Sequence, residues 1–484
     1  MHYNHHCPKG GCMFSTIEQA QKYISENNIR MLDVKWTGYS GRWHHVTLSA
    51  RQFTTALMRD GIGFDSSAEG FKPVNAGDMV LIPDIASAFR DPFFDEPTLS
   101  LIANIHEAGS KKQFTADPRE VLRRALQFLK TKGIADECLW GPEFEFFAFD
   151  AAEFSNGLNH AGYRFHSCEA NWDDREQDSG YVVPSHGGYH RIPPADRHAQ
   201  LRNRICTALE EVGIPVKYHH HEGGGPGHNE IEPALMTNYA AGDACMLIKY
   251  FVKNYTFQQG LTATFLPKPL FGEAGNGMHF HQLLQKGGRN IFYDARGFSL
   301  MSQTGLFYIG GLLTHARALA AFTNPSTNSY RRLTPGYEAP VNCFFGKGDR
   351  SAAVRIPGYA TDPAEVRLEY RPPDGTCNPY LAMAAMLLAG ADGILNQIDP
   401  TKAGFGPFEK DIFSLPPQER PVIQSLPVSL EEAVNSLDKD SQFLLVDEVF
   451  PPEFVDYWKA ARMKDHRAVS GRPHPYEIEL YYDA

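Results

Sequence analysis

Six side chains with metal-binding chemistry, Glu143, Glu145, Glu222, Glu230, His279 and Glu369, fall on four separated segments that each read as a β-strand with one charged and one apolar face. Carboxylates crowded on an inward face repel one another and lose hydration, so they take up protons or share divalent cations. An oxygen-rich set with a single imidazole suits magnesium or manganese better than a thiolate-loving ion, and such sites handle phosphates. Two hard cations in one cavity are the simplest reading.

In CLWGPEFEFFAFD, Glu143 and Glu145 are two apart and share a face, with Phe144 and Phe146 on the other. In VKYHHHEGGGPGHNEIE, the glycine-rich connection between Glu222 and Glu230 brings two strand ends together. Either motif alone reads better as an exposed polar strand face; the two together favour a shared cavity. GEAGNGMHFHQLL sets His279 and His281 on one face after glycines that let backbone approach a ligand. In AEVRLEYRPPDG, Arg367, Glu369 and Arg371 alternate with Val366, Leu368 and Tyr370. Arg350 and Arg355 in DRSAAVRIP and Arg332 in RRLTPGYEAP add further cations able to neutralise a transferring phosphoryl group.

The elements that must position these residues form a mixed α+β chain. Its 484 residues suggest two or three domains, and 42% hydrophobic content fills a real core. Ile29 to Ala50 reads as two strands flanking the turn GYSG, and Asp78 to Asp84 as another, giving a small sheet domain over residues 16–116. Asp117 caps a helix with Pro118 and Glu120 in its first turn, which opens a larger domain over 117–484. Further helices are expected at Ala195 to Val212, Asn238 to Gln259, Gly305 to Phe322, Asn378 to Gln397 and Pro452 to Lys464. The prolines Pro416, Pro417 and Pro421 mark a surface excursion, and no third domain is assigned. The opening MHYNHHCPKGGC could bind a transition metal through His2, His5, His6, Cys7 and Cys12, but residues 1–15 read as a flexible segment.

A net charge of −11, with 46 basic against 57 acidic residues, argues against a nucleic-acid partner. Eight scattered cysteines, an opening without an apolar signal run and no membrane-length stretch suggest a reducing cytoplasm and no membrane. GKGDRS near Lys347 lacks the glycine spacing and hydroxyl of a P-loop, and HHHE lacks the i, i+4 histidine pair of a helical zinc site.

The segments GPEFEFF, HHHEGGGPGHNE, KPLFGEAGNGMHFH, NPSTNSYRRLTPGYEAP, RSAAVRIP and RLEYRPPDGTCNPYLA, in this order, resemble the bacterial type I glutamine synthetases almost end to end. The resemblance implies a β-grasp-like amino-terminal domain and a catalytic domain whose curved antiparallel sheet forms a funnel. It also implies a dodecamer of two hexameric rings and ATP-dependent ligation of ammonium to L-glutamate through γ-glutamyl phosphate. By the same resemblance, Glu145, Glu222 and Glu230 hold the cation near glutamate, and Glu143, His279 and Glu369 the one near the ATP phosphates. Arg350 and Arg355 contact phosphates, Arg332 and Arg371 the substrate carboxylates and phosphoryl group, and His281 and Arg367 the nucleotide. Gly275 approaches glutamate through its backbone. Asp65 of a neighbouring subunit, with Ser67, Tyr189 and Glu222, forms the ammonium pocket and acts as general base, while Glu338 sits on a mobile flap.

Departures from that pattern are the loop FDSSAEGF, one residue short after Asp65, with Ala274, Leu283 and Ala364 in place of asparagine, serine and lysine. Phe413 stands where many relatives carry a tyrosine that accepts a nucleotidyl group, and KPVNAGDM lacks an arginine tied to feedback inhibition in a second subclass. Two other readings are a γ-glutamyl-amine ligase using methylamine or a polyamine, and a catalytically silent assembly on the same fold.

Overall fold

The computed structural model describes residues 13–172, 180–408 and 422–484. Most of the expected flexible start, with His2, His5, His6, Cys7 and Cys12, lies outside the described residues, as do Phe413 and Pro416, Pro417 and Pro421.

Thr16 caps the first helix, α1 (Ile17–Glu26), by accepting a hydrogen bond from the Gln19 amide at 3.3 Å. Strands β1 (Met31–Thr37) and β2 (Trp43–Ser49) pair antiparallel around the GYSG turn, as the two runs flanking that turn predict. After α2 (Thr55–Asp60) come β3 (Ile62–Asp65), β4 (Asp78–Asp91) and β5 (Thr98–Glu107). The sheet order is β2-β1-β5-β4-β3, with β1 parallel to β5 at its centre.

Asp117 caps α3 (Pro118–Thr131), accepting from the Arg119 amide at 3.2 Å, as the start signals predict. The chain continues through β6 (Glu137–Pro142), β7 (Phe144–Phe149), β8 (Ala151–Asn156), β9 (Ala161–His166), α4 (Ala199–Glu211), β10 (Val216–His221) and β11 (His228–Pro233). Next are β12 (Met236–Thr237), α5 (Asn238–Gln258), β13 (Thr262–Thr264), β14 (Phe280–Lys286), β15 (Arg289–Asn290), α6 (Gln303–Thr314), α7 (Ala316–Thr323) and α8 (Ser329–Arg332). Then follow β16 (Asn342–Lys347), β17 (Ala352–Ile356), β18 (Leu368–Tyr370) and α9 (Pro379–Leu395), and finally α10 (Leu430–Lys439), α11 (Gln442–Leu445), α12 (Pro452–Ser470) and α13 (Pro475–Tyr481).

Two sheets meet in this larger part. One has the order β10-β11-β7-β13, the other β12-β6-β14-β18-β17-β16 with β15 beside β14. Glu143 is the residue between β6 and β7, where the chain leaves one sheet for the other. At that corner the amides of Glu143 and Glu145 donate to the carbonyls of His279 and Gly277, at 2.9 and 3.3 Å. The strand reading of the six ligands is therefore corrected in part: Glu145, Glu230 and Glu369 lie within strands, but Glu143, Glu222 and His279 sit just outside strand ends. The curled sheet is also not wholly antiparallel, since β16 and β17 run parallel.

The expected helix from Gly305 to Phe322 is broken at His315 into α6 and α7, which are bent by 74°. His315 leaves helical geometry and bonds through Nδ1 to Asp440 (2.8 Å) and through Nε2 to Asp392 (3.1 Å). Against α9, helix α6 packs with almost no side chain between the backbones: a Cβ on Gly311 would lie 2.0 Å from the Ala389 carbonyl oxygen. Among the described residues no single helix is long and apolar enough to cross a membrane.

A buried guanidinium ties the amino-terminal sheet to the rest. Arg119 donates to Asn104 on β5 (2.8 Å), to Asp84 on β4 (3.1 Å) and through two nitrogens to Asp243 on α5 (2.7 and 3.0 Å). Removing it strands Asp243 in the interior, which Tyr380 alone then bonds at 2.7 Å.

Two outcomes follow. Burial works against a charged His315, but its bonds to Asp392 and Asp440 raise its pKa from 6.5 to about 9. Because the folded-state value is the higher one, the stabilisation is complete below pH 6.5 and fades as pH rises through about 9. His315→Gln is expected to cost roughly 1.5–3 kcal/mol near pH 6 and little above about pH 9.5, read by urea denaturation at both pH values. Gly311→Ala forces the α6–α9 crossing apart and lowers stability by about 1–3 kcal/mol or more at either pH in the same assay.

Candidate active site

At the corner between the two sheets lies a cavity of about 400 Å³. Glu143, Glu145, Glu222, Glu230 and His279 all line it, together with Arg332, Arg350, Arg355 and Arg371, so the spacing argument brought the right groups to one place. Glu369 lies fully buried behind them.

On one side, ligand atoms of Glu143, His279 and Glu369 lie within 4.8 Å of one another. The His279 ring accepts from Arg332 at Nε2 (3.1 Å), which leaves Nδ1 to donate to Glu143 (2.9 Å). A cation held by these three would take the place of that proton. Burial, followed by the nearby Arg371 charge, lowers the His279 pKa to about 4 and keeps the ring neutral. Glu143 would be raised by burial, but the facing His281 and His279 hold it well below the usual carboxylate range; His281 Nε2 contacts it at 2.7 Å. Glu369 is likewise buried yet held at about 2 by Arg371, with Arg355 also bonded to it.

On the other side the balance reverses. Burial, then repulsion from Glu143 and Glu222, pushes the Glu230 pKa well up, and burial with Glu222 beside it raises Glu145 to about 7. The group drawn together here is His220, Glu222 and Glu230, with His220 at 3.4 and 3.5 Å from the two carboxylates. Glu145 faces the same cavity but accepts from the Gly277 amide (2.8 Å). One carboxylate oxygen of Glu222 is buried with no hydrogen-bond partner in the structure. Raised carboxylates and an orphaned oxygen fit a divalent cation, which would satisfy both.

Gly275 lines the cavity where the chain passes the Pro267 carbonyl; a Cβ would lie 2.1 Å from that oxygen, so only glycine fits. Arg332 is anchored by the Pro372 carbonyl (2.8 Å), and Arg371 donates to the carbonyls of Arg350 (3.0 Å) and Glu338 (3.2 Å). Glu338 has a left-handed φ of 55°, and its exposed carboxylate lies 3.9 Å from Arg350. Arg367 and Arg355 both approach the Tyr359 ring, at 5.6 and 5.7 Å. Tyr189 is half-exposed over the cavity, stacked on His190 at 4.2 Å.

Asp65 and Ser67 do not reach this cavity. Asp65 is exposed at the end of β3, where it accepts from the Ser67 amide at 2.9 Å, and the Ser67 bonds hold its pKa below the ordinary value. Sequence reasoning also missed His220, His228 and Glu232. The alternation of Tyr218, His220 and Glu222 was the available signal for His220.

With this geometry in view, comparison with known proteins is informative. The model of the glutamine synthetase catalytic domain matches residues 115–481, and that of the glutamine synthetase beta-Grasp domain matches 28–108. The chain belongs to the glutamine synthetase family. It is 41% identical over 477 residues to the glutamine synthetase of Frankia alni, covering 97% of this chain and 100% of that one. With the glutamine synthetase of Streptomyces coelicolor it shares 41% over 475 residues, again covering 97% and 100%. The cryo-EM structure of Plasmodium falciparum glutamine synthetase superposes with a TM-score of 0.87 at 26% identity, covering 97% of this chain and 99% of that one. Glutamine synthetase membership thus accounts for the acidic half, the arginine half and the curled sheet together.

Glu230→Gln relieves repulsion while removing a candidate metal ligand. The metal-free variant is expected to melt a few degrees higher than the wild type, by about 1 kcal/mol, while manganese affinity measured by calorimetry falls by about tenfold or more.

Proposed function

We propose that this chain ligates ammonium to L-glutamate at the expense of ATP, passing through γ-glutamyl phosphate to L-glutamine, ADP and phosphate. The observation that carries this reading is a cavity with carboxylates on one side and arginines on the other, lined among the described residues by no serine, threonine or cysteine. In this reading the lining glutamates and His279 serve cations rather than attack substrate, and phosphoryl and acyl groups pass directly between substrates.

The carboxylate of glutamate is a poor electrophile, and phosphorylation gives it a leaving group. Magnesium or manganese, when bound, withdraws charge from the transferring phosphoryl group. Glu145, Glu222 and Glu230 serve the cation near glutamate, and Glu143, His279 and Glu369 the one near the nucleotide. Arg350 and Arg355 neutralise phosphate oxygens, Arg332 and Arg371 orient the substrate carboxylate and phosphoryl group, and His281 and Arg367 hold the nucleotide. Gly275 offers its backbone to glutamate. Tyr189, Ser67, Glu222 and Asp65 form the ammonium pocket, in which Asp65 takes the proton, and Glu338 closes over the acyl phosphate.

Because Asp65 and Ser67 lie outside the cavity of their own chain, the reading places them in a neighbouring copy, within a cytoplasmic dodecamer of two hexameric rings. Residues 16–116 and 117–484 are its two domains. An alkylamine ligase is the second reading, favoured by the loop FDSSAEGF, which is one residue short after Asp65.

Glutamate-dependent ADP formation with ammonium, methylamine and putrescine separates these readings. Ammonium is expected to give the highest kcat/KM by about tenfold or more, and a preference for either alkylamine overturns it. Asp65→Ala is expected to lower glutamine synthesis by about 100-fold while isotope exchange still reports glutamate phosphorylation; equal loss of both steps removes Asp65 from the base role.

A further inference from the structure

The loop carrying Glu338 is held by a contact outside the catalytic constellation. Tyr337, next to Glu338, has its ring 3.7 Å from the Lys268 ammonium, with the His186 ring stacked nearby at 5.7 Å. Both clamping segments are tied to one buried residue. The Lys268 ammonium donates to the Glu273 carbonyl, and the His186 amide donates to the Glu273 carboxylate at 3.1 Å. Lys268 is also locked by a reciprocal pair: its amide donates to the Asn328 side chain (2.6 Å), whose nitrogen donates back to the Lys268 carbonyl (3.1 Å). From the opposite side Arg371 holds the Glu338 carbonyl, so the backbone at Glu338 is fixed from two directions while its carboxylate stays exposed.

A lysine ammonium centred over an aromatic ring and partly stripped of water is a specific attraction, and here it acts on a loop that lines the cavity. We propose that Lys268, acting through the Tyr337 ring, is a positioning residue that keeps the 334–340 loop over the cavity and sets how the activated acyl group is divided between amine and water. The inference rests on the ligase reading above. In either branch the acyl carbon of γ-glutamyl phosphate loses its bond to the phosphate oxygen, and phosphate departs with the electron pair. Ammonia forms the C–N bond and sheds a proton to give glutamine; water forms a C–O bond and sheds a proton to return glutamate. Each branch consumes one ATP, so the ratio of ADP to glutamine formed reads the partition directly.

The test uses full-length enzyme with saturating glutamate, ATP, ammonium and magnesium, counting ADP and glutamine in the same samples. Lys268→Met and Tyr337→Leu, which remove the cation and the ring, are expected to raise the ADP:glutamine ratio between about 3- and 30-fold. Lys268→Arg and Tyr337→Phe, which keep a cation or a ring, are expected to leave the ratio near that of the wild type. A mere packing role would lower both products together without moving the ratio. Tyr337→Leu, on a surface loop, carries the test should Lys268→Met fold poorly. A wild type that couples normally beside unchanged ratios in Lys268→Met and Tyr337→Leu overturns the clasp alone. Absence of glutamate-dependent ADP formation by the wild type overturns the ligase reading and the clasp with it.

Discussion

Negative charge gathered away from water is the constraint around which this molecule is organised. Five glutamates share one corner of the fold, and the protein meets their repulsion unequally. Around Glu143 and Glu369, ring contacts from His279 and His281 and the guanidinium groups of Arg355 and Arg371 hold the carboxylates from within the chain. Around Glu145 and Glu230 burial and mutual repulsion outweigh the Gly277 amide and the nearby Arg332, and their carboxyls are driven upward. One half of the site is thus electrostatically complete in the protein alone, while the other is built to be completed from outside.

The corner between the sheets creates this asymmetry. Its cross-bonds, Glu143 to the His279 carbonyl and Glu145 to the Gly277 carbonyl, stitch one sheet to the other where the ladder would otherwise fail. Arg119 performs a comparable function where the amino-terminal sheet meets the larger part, joining β4, β5 and α5 through a single buried cation. Both devices use polar groups where an apolar contact would not specify orientation.

Much of this was legible in the sequence, and what was not has physical causes. The cap at Asp117 is local chemistry, and the turn GYSG between two strand-like runs marks β1 and β2, so these elements could be read directly. The period-two spacing of Glu143 and Glu145 correctly gave a shared cavity but wrongly implied an unbroken strand, because periodicity does not reveal where a sheet turns. The break at His315 was invisible for a similar reason: Asp392 and Asp440 are distant in the chain, and only tertiary contacts make leaving the helix favourable. His220 was overlooked although it shares the parity of Glu222, because a run of three histidines covers both faces and does not single one out until the register against Glu230 is known.

The crossing of α6 and α9 bears on how such a protein can diversify. Where two helices meet as bare main chain, with Gly311 against Ala389 and Gly393 against Phe307, no side chain exists whose exchange could shift one helix against the other by a small amount. Change at this crossing is therefore all or none, and finer adjustment of the molecule has to come from its loops while the two helices keep their spacing.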